Sequence, residues 1–97
     1  MPSTLNTFIP VKVNISNDVL FQNMGEEYVL LNMKTEKYFG LDAVAARFWQ
    51  LFAENASTEN ALLQVQSEFE VEEETVKRDL LAFLQKLLAE ELVTVEN

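Results

Sequence analysis

The sequence of 97 residues predicts an α+β fold, in which a three-stranded antiparallel sheet is followed by three helices. The first half is rich in Val, Tyr, Phe and Asn, with turn residues between short apolar runs, whereas the second half is rich in Leu, Ala, Glu and Gln. These are the preferences of strands and of helices, respectively. Since the length suits one domain, we expect residues 1–97 to form a single unit.

The strands are predicted from short apolar runs bounded by turns, over 18–22, 27–33 and 37–41. Residues 1–17 contain two prolines and the alternating Val11, Val13 and Ile15, which predicts a loose arm or a short edge strand. The middle strand carries apolar side chains on both faces. We therefore expect helices to cover one face, and the N-terminal arm is a candidate cover for the other.

Three helices and a short terminal strand are predicted in the second half, over 43–53, 59–68, 72–90 and 92–95. Asp42 directly follows the third strand and is a good N-cap for the first helix. Ser57 or Thr58 caps the second. The acidic residues 72–74 favour the positive end of the dipole of the third helix. Trp49 is expected in the core.

The third helix has an unusually broad apolar face, which spans about 160° where roughly 100° suffices to pack one side onto a core. Its members are Val76, Leu80, Leu81, Phe83, Leu84, Leu87 and Leu88. Either the helix is deeply buried among the others, or one flank lines an apolar groove that a partner covers. The sequence leaves open whether that flank carries Val76, Leu80 and Phe83 or Leu81 and Leu84.

The third strand is expected at the edge of the sheet, where its outer N–H and C=O groups have no partner. Tyr38 and Phe39 lie on opposite faces of this strand. An edge strand beside an apolar helix flank is the geometry of peptide capture by strand addition. Alternatively, Glu36 and Lys37 only protect the edge from unwanted pairing.

Composition excludes most catalytic chemistry, because the chain has no cysteine and no histidine. Thiolate nucleophiles, imidazole bases and the ordinary zinc, haem and iron–sulfur ligand sets are therefore ruled out. The net charge of -9 disfavours nucleic acids and anionic membranes as partners. We expect no enzyme activity, no cofactor and no metal. The absence of a signal peptide or a long apolar segment predicts a cytoplasmic protein.

The charge is concentrated in the second half of the chain. Residues 1–53 hold five acidic and four basic side chains, whereas residues 54–97 hold eleven acidic and three basic ones. The nearly neutral first half is therefore the more plausible place for a peptide to bind.

Several short motifs resemble the PqqD-like family, the peptide-binding domains also called RiPP recognition elements. They are Leu31-Asn32, Tyr38-Phe39, Leu41-Asp42, Trp49, and the pattern of Asp79, Phe83-Leu84 and Leu87 followed by Leu92-Val93. Their order and spacing match over about residues 11–95. There are two departures: the turn at 33–36 lacks the glycine often seen there, and Ala46 replaces a glycine in the first helix.

The resemblance implies a winged helix-turn-helix-like domain that binds the leader segment of a ribosomally made precursor peptide. The leader would add as a strand to the third strand, beside the third helix. The implied site residues are Glu36, Lys37, Tyr38, Phe39, Val76, Asp79, Leu80, Phe83 and Leu84.

The chain would act as an adaptor for a leader-cleaving protease or another modifying enzyme, with the lasso peptide type favoured, as a monomer or weak homodimer. The alternative function is a winged-helix DNA-binding regulator, which the acidic start of the third helix opposes.

Overall fold

The computed structural model describes residues 9–96, and its elements are those of an α+β protein. In chain order they are β1 (Lys12–Ile15), β2 (Val19–Asn23), β3 (Tyr28–Asn32), β4 (Lys37–Leu41), α1 (Ala43–Ala53), α2 (Thr58–Phe69), α3 (Glu73–Ala89) and β5 (Val93–Glu96). The predicted class and the three helices are confirmed. The sheet arrangement differs, because the strands form two sheets and not one.

The larger sheet is the predicted antiparallel meander, in the order β2-β3-β4. Leu30 pairs with Phe39 and Leu31 with Tyr38. The turn between β2 and β3 places Gly25 at a φ of 91°, a conformation that favours glycine, and the Asn23 side chain accepts from its N–H. The strand boundaries differ from the predicted ones by only one residue at β2 and β3.

The second sheet, which the sequence did not predict, joins β1 to β5 in antiparallel pairing. Val13 lies opposite Val95 and is buried, and the Val11 N–H donates to the carbonyl of Glu96 at 2.7 Å. The expectation that the arm covers the outer face of the meander is therefore wrong for residues 9–17. Residues 1–8 of that arm lie outside the described part of the chain.

The first two helices begin where their caps predict. The Asp42 carboxylate accepts from the Ala45 N–H at 2.8 Å, and the Ser57 hydroxyl accepts from the Asn60 N–H at 3.1 Å. Ser57, and not Thr58, is thus the cap of α2. The two helices are joined by Arg47, whose hydrogen bonds to the Glu68 carboxylate raise the pKa of Arg47 and lower that of Glu68.

The core lies between the helices and one face of each sheet. Its largest buried side chains include Phe48 and Phe52 of α1 and Leu80 and Leu87 of α3, with Leu30 from the meander. Trp49 is also buried, as predicted. Within residues 9–96 no helix is both long enough and apolar enough to cross a membrane.

Candidate functional site

The edge of the meander is formed by β4, which pairs with β3 on one side and with no other strand of residues 9–96. Side chains alternate along it. Phe39 and Leu41 are half-buried and pack against the core, whereas Tyr38 points to the opposite face. Because alternate residues of an edge strand direct N–H and C=O groups outward, β4 offers a template for one further strand.

Helix α3 runs alongside β4 in the opposite direction. The Glu90 carboxylate lies 3.6 Å from the Lys37 ammonium at the start of β4. The Lys86 ammonium lies 5.8 Å from the centroid of the Phe39 ring. Phe83, one turn earlier, lines the same space as Leu41 at the end of β4. The helix thus forms the second wall of a groove along the strand.

Phe83 borders two hollows in this groove. The first, which we call the Lys86 hollow, has a volume of about 130 Å³ and is lined by residues that include Phe39, Leu41, Asp42, Phe83 and Lys86. The second, the Asp79 hollow, has a volume of about 270 Å³ and is lined by residues that include Asp42, Val44, Phe48, Asp79 and Phe83. Both are mainly apolar with a charged border, which is typical of sites that bind side chains.

Three predicted site residues, Phe39, Phe83 and Asp79, line these hollows. Lys37 lies at the end of the groove where β4 begins, and its ammonium is paired with the Glu90 carboxylate. The groove therefore lies on the Phe83 flank of α3, and Leu81 lines neither hollow.

Two further predicted site residues lie near the groove without lining either hollow. Glu36 is exposed in the turn before β4, where its φ is 63°. Tyr38 is 69% exposed on the outer face of the sheet, where it borders a separate depression with Leu31 and Met33. Tyr38 could thus contact only those side chains of an added strand that lie on the outer face of the sheet.

Three other predicted site residues, Val76, Leu80 and Leu84, lie in the core. Their exposed fractions are 1%, 0% and 3%, respectively. The physical reason is their spacing: they recur every fourth residue and form the inward stripe of α3, while Phe83 lies beside that stripe. A peptide in the groove would not touch them without movement of the helix, so they support the wall and do not line it.

Asn32 is a positioning residue that the sequence indicated only as part of the Leu31-Asn32 motif and not as a site residue. Its buried side chain accepts from the Lys34 N–H at 2.9 Å, and its amide donates to the Glu90 carbonyl at 3.4 Å. It thereby connects the turn before β4 to the end of α3, the two walls of the groove. The sequence signal for this role was the position of Asn32, between an apolar strand and a turn that has no glycine.

Replacing Asn32 with Ala is expected to lower the free energy of unfolding by about 1–2 kcal/mol, because the turn N–H groups and the Glu90 carbonyl lose their partner. Urea unfolding measures this change. Asn14→Ala is a matched control, since the Asn14 amide bonds only to the Glu96 carboxylate in the exposed region of β1 and β5. Equal small effects for both variants would show that Asn32 does not hold the walls together.

Two comparisons with known proteins find relatives of this chain. Residues 27–93 match the family model described as coenzyme PQQ synthesis protein D (PqqD). A solved structure described as TbiB1 in complex with the TbiA(beta) leader peptide is 40% identical, with a TM-score of 0.75, and the match covers 82% of this chain and 93% of that one. No curated protein sequence matches this chain.

A second solved structure is a lasso peptide synthetase B1 complexed with the leader peptide. It is 22% identical with a TM-score of 0.76, and the match covers 86% of this chain and 98% of that chain. At this identity the similarity shows the fold alone. From the family model and the 40% identical relative, the chain belongs to the PqqD-like family of RiPP recognition elements, as its sequence motifs predicted.

Proposed function

We propose that this chain binds the leader segment of a ribosomally made precursor peptide, which adds to β4 as a further antiparallel strand. The observation that carries the proposal is the unpaired edge of β4 beside a groove with two side-chain hollows. The 40% identical relative supports it, because that protein is in complex with a leader peptide.

The groove suits an extended peptide physically. The peptide's backbone would bond to the outward groups of β4, while alternate side chains point toward α3 and enter the hollows. Burial of one aliphatic or aromatic side chain contributes about 1.5–3 kcal/mol. Two such side chains and several backbone hydrogen bonds, less the cost of ordering the peptide, are consistent with a Kd in the micromolar range.

The same proposal makes the chain an adaptor and not an enzyme. It would present the leader to a leader-cleaving protease or another modifying enzyme, with lasso peptide biosynthesis favoured. A side-chain nucleophile or base of the Cys or His type is absent from the sequence. The winged helix-turn-helix-like description, the monomeric or weakly dimeric state and the cytoplasmic location belong to this proposal as expectations.

The DNA-binding alternative is disfavoured by the charge of α3. Its first turn carries Glu73 and Glu74, which are exposed, and Glu72 precedes them. A winged-helix protein would present such a helix to phosphates, and these carboxylates would repel them.

Leader binding is tested by titrating this chain into a fluorescently labelled leader, taken from a short precursor identified by sequencing the neighbourhood of its gene. We expect a Kd below about 10 μM, and no binding of a scrambled leader of the same composition. Failure to bind up to about 10 μM, with the protein folded, would contradict the proposed function.

Strand addition is tested separately by methylating the leader backbone at one N–H at a time. Since only every second N–H of an added strand faces β4, methylation should weaken binding by about threefold to tenfold at alternate positions. The intervening positions serve as internal controls. A uniform effect along the segment would contradict strand addition and leave leader binding itself intact.

A further inference from the structure

The groove is electrically polarised along its length. Lys86 borders only the Lys86 hollow and Asp79 only the Asp79 hollow, while Asp42, at the end of β4, borders both. Lys37 does not add to the positive end as a free charge, since it is paired with Glu90. A peptide between β4 and α3 would therefore meet a positive charge at the Lys86 end of the groove and negative charges at the end formed by Asp42 and Asp79.

Lys86 forms no ion pair within the described part of the chain. Among residues 9–96 no carboxylate oxygen lies within 4.0 Å of its ammonium, which instead lies over the Phe39 ring. A ring face attracts the cation but does not neutralise it. An incoming carboxylate would thus find an available positive partner at the Lys86 end of the groove.

The opposite end has the complementary character. Asp79 is exposed and forms no ion pair with a side chain of the described part of the chain. Asp42 accepts from the Ala45 N–H with one carboxylate oxygen, Oδ1. Asp79 and Lys86 are seven residues apart on α3, about 10 Å along the axis.

This spacing matches an extended peptide. Side chains on one face of a strand recur every second residue, about 6.6 Å apart, so positions four apart span about 13 Å. Long charged side chains at these two positions would reach Asp79 and Lys86, and the side chain midway between them would lie against Phe83.

We infer that the groove selects leader segments with the order basic–x–apolar–x–acidic, read from the N-terminus to the C-terminus. The order follows from antiparallel addition, which is how every strand pair within residues 9–96 is arranged. β4 runs from the Lys86 end toward the Asp79 end, so an antiparallel peptide enters beside Asp79 and leaves beside Lys86. This inference rests on the proposed function and specifies its substrate class.

Charge of this kind acts mainly on specificity. A correctly placed pair contributes modestly at a partly exposed site, whereas the reversed order brings like charges together at Lys86 and at Asp79 and is penalised. Leaders with the opposite charge order would therefore be rejected even if their apolar residue fits against Phe83.

The test uses a display library of random peptides of about 15 residues. An extended peptide of that length is several times longer than the five-residue pattern, so the pattern can occur at many positions within it. It is panned against the wild-type chain, against Lys86→Glu, and against Lys77→Glu as a control. Lys77 lies on the same helix and makes the same change in net charge, but it is paired with Glu73 and borders a different hollow, lined also by Leu62. Clones that still bind Phe83→Glu are discarded as binding elsewhere.

We expect the wild type and Lys77→Glu to enrich an acidic residue two positions after an apolar one, and Lys86→Glu to enrich a basic residue there. For single synthetic peptides, exchanging that acid for lysine should weaken binding to the wild type by about fivefold and strengthen binding to Lys86→Glu. Lys86→Gln should remove the preference in either direction. Circular dichroism melting checks that each variant is folded.

Two results would overturn the inference, and they are distinguishable. Groove-dependent peptides without a charge preference, or with the same preference for Lys86→Glu as for the wild type, would refute charge selection and leave peptide binding intact. Failure to enrich any peptide that depends on Phe83 would refute both charge selection and the proposed function.

Discussion

Replacing Phe83 with Glu is expected to weaken leader binding by at least about tenfold while the domain stays folded. Phe83 lines both hollows and is half-buried, so the substitution removes the apolar surface that a leader side chain would cover. It also places a charge where that side chain would have to be buried. Fluorescence anisotropy with the labelled leader measures the affinity.

A matched control is Phe69→Glu, the same change at another half-buried phenylalanine that packs against the core from the end of α2. Both variants should lose some stability, but only Phe83→Glu should lose affinity. Normal binding by folded Phe83→Glu would place the leader site elsewhere. If both variants lost affinity equally, the loss would result from general destabilisation and not from the groove.

Replacing Leu80 with Lys is expected to lower the free energy of unfolding by more than about 3 kcal/mol, because the side chain is wholly buried in the core. That is a large fraction of the stability of about 5–15 kcal/mol that small domains have. The sequence alone placed Leu80 among the residues expected to bind the leader. Its burial indicates that the fold itself would be lost first.

The control for this variant is Leu88→Lys on the same helix, where the side chain is already 43% exposed. It should change the free energy of unfolding by less than about 0.5 kcal/mol. Urea unfolding compares the two. If Leu80→Lys unfolded cooperatively with nearly wild-type stability, Leu80 could not be a core residue, and α3 would have to sit differently against the sheet.

Local signals explain why much of the fold was predictable. β4 and α1 were predicted with their observed boundaries, because turn residues precede the strand and Asp42 both ends it and caps the helix. The polar Glu54, Asn55 and Ser57 separated α1 from α2 in the same way. Each of these signals acts over a few neighbouring residues, and such local signals can be recognised in a single sequence.

The pairing of β1 with β5 could not be predicted in this way. It joins Lys12 to Glu96 across almost the whole chain, and no local pattern selects a partner at that distance. The alternation of Val11, Val13 and Ile15 indicated a strand but not its neighbour. Only the folded structure shows that β1 pairs with β5 and that Val13 is buried there.

The site was predictable in outline but not in detail. The edge strand and the broad apolar face of α3 indicated a groove, yet a helical wheel gives both borders of the apolar sector equal weight. Which border faces β4 depends on how α3 lies against the sheet. Asn32 and Glu90 fix part of that arrangement through a contact between residues 58 positions apart.

The pairing of β1 with β5 also determines where the described chain enters and leaves the fold. These two points are hydrogen-bonded neighbours, and they belong to a different sheet from β4. A domain of this form can be inserted into a surface loop of a larger enzyme, or joined by a short linker at either point, without using the edge that we propose for the leader. The same geometry predicts that a circular permutant opened in the β2–β3 turn would keep its fold.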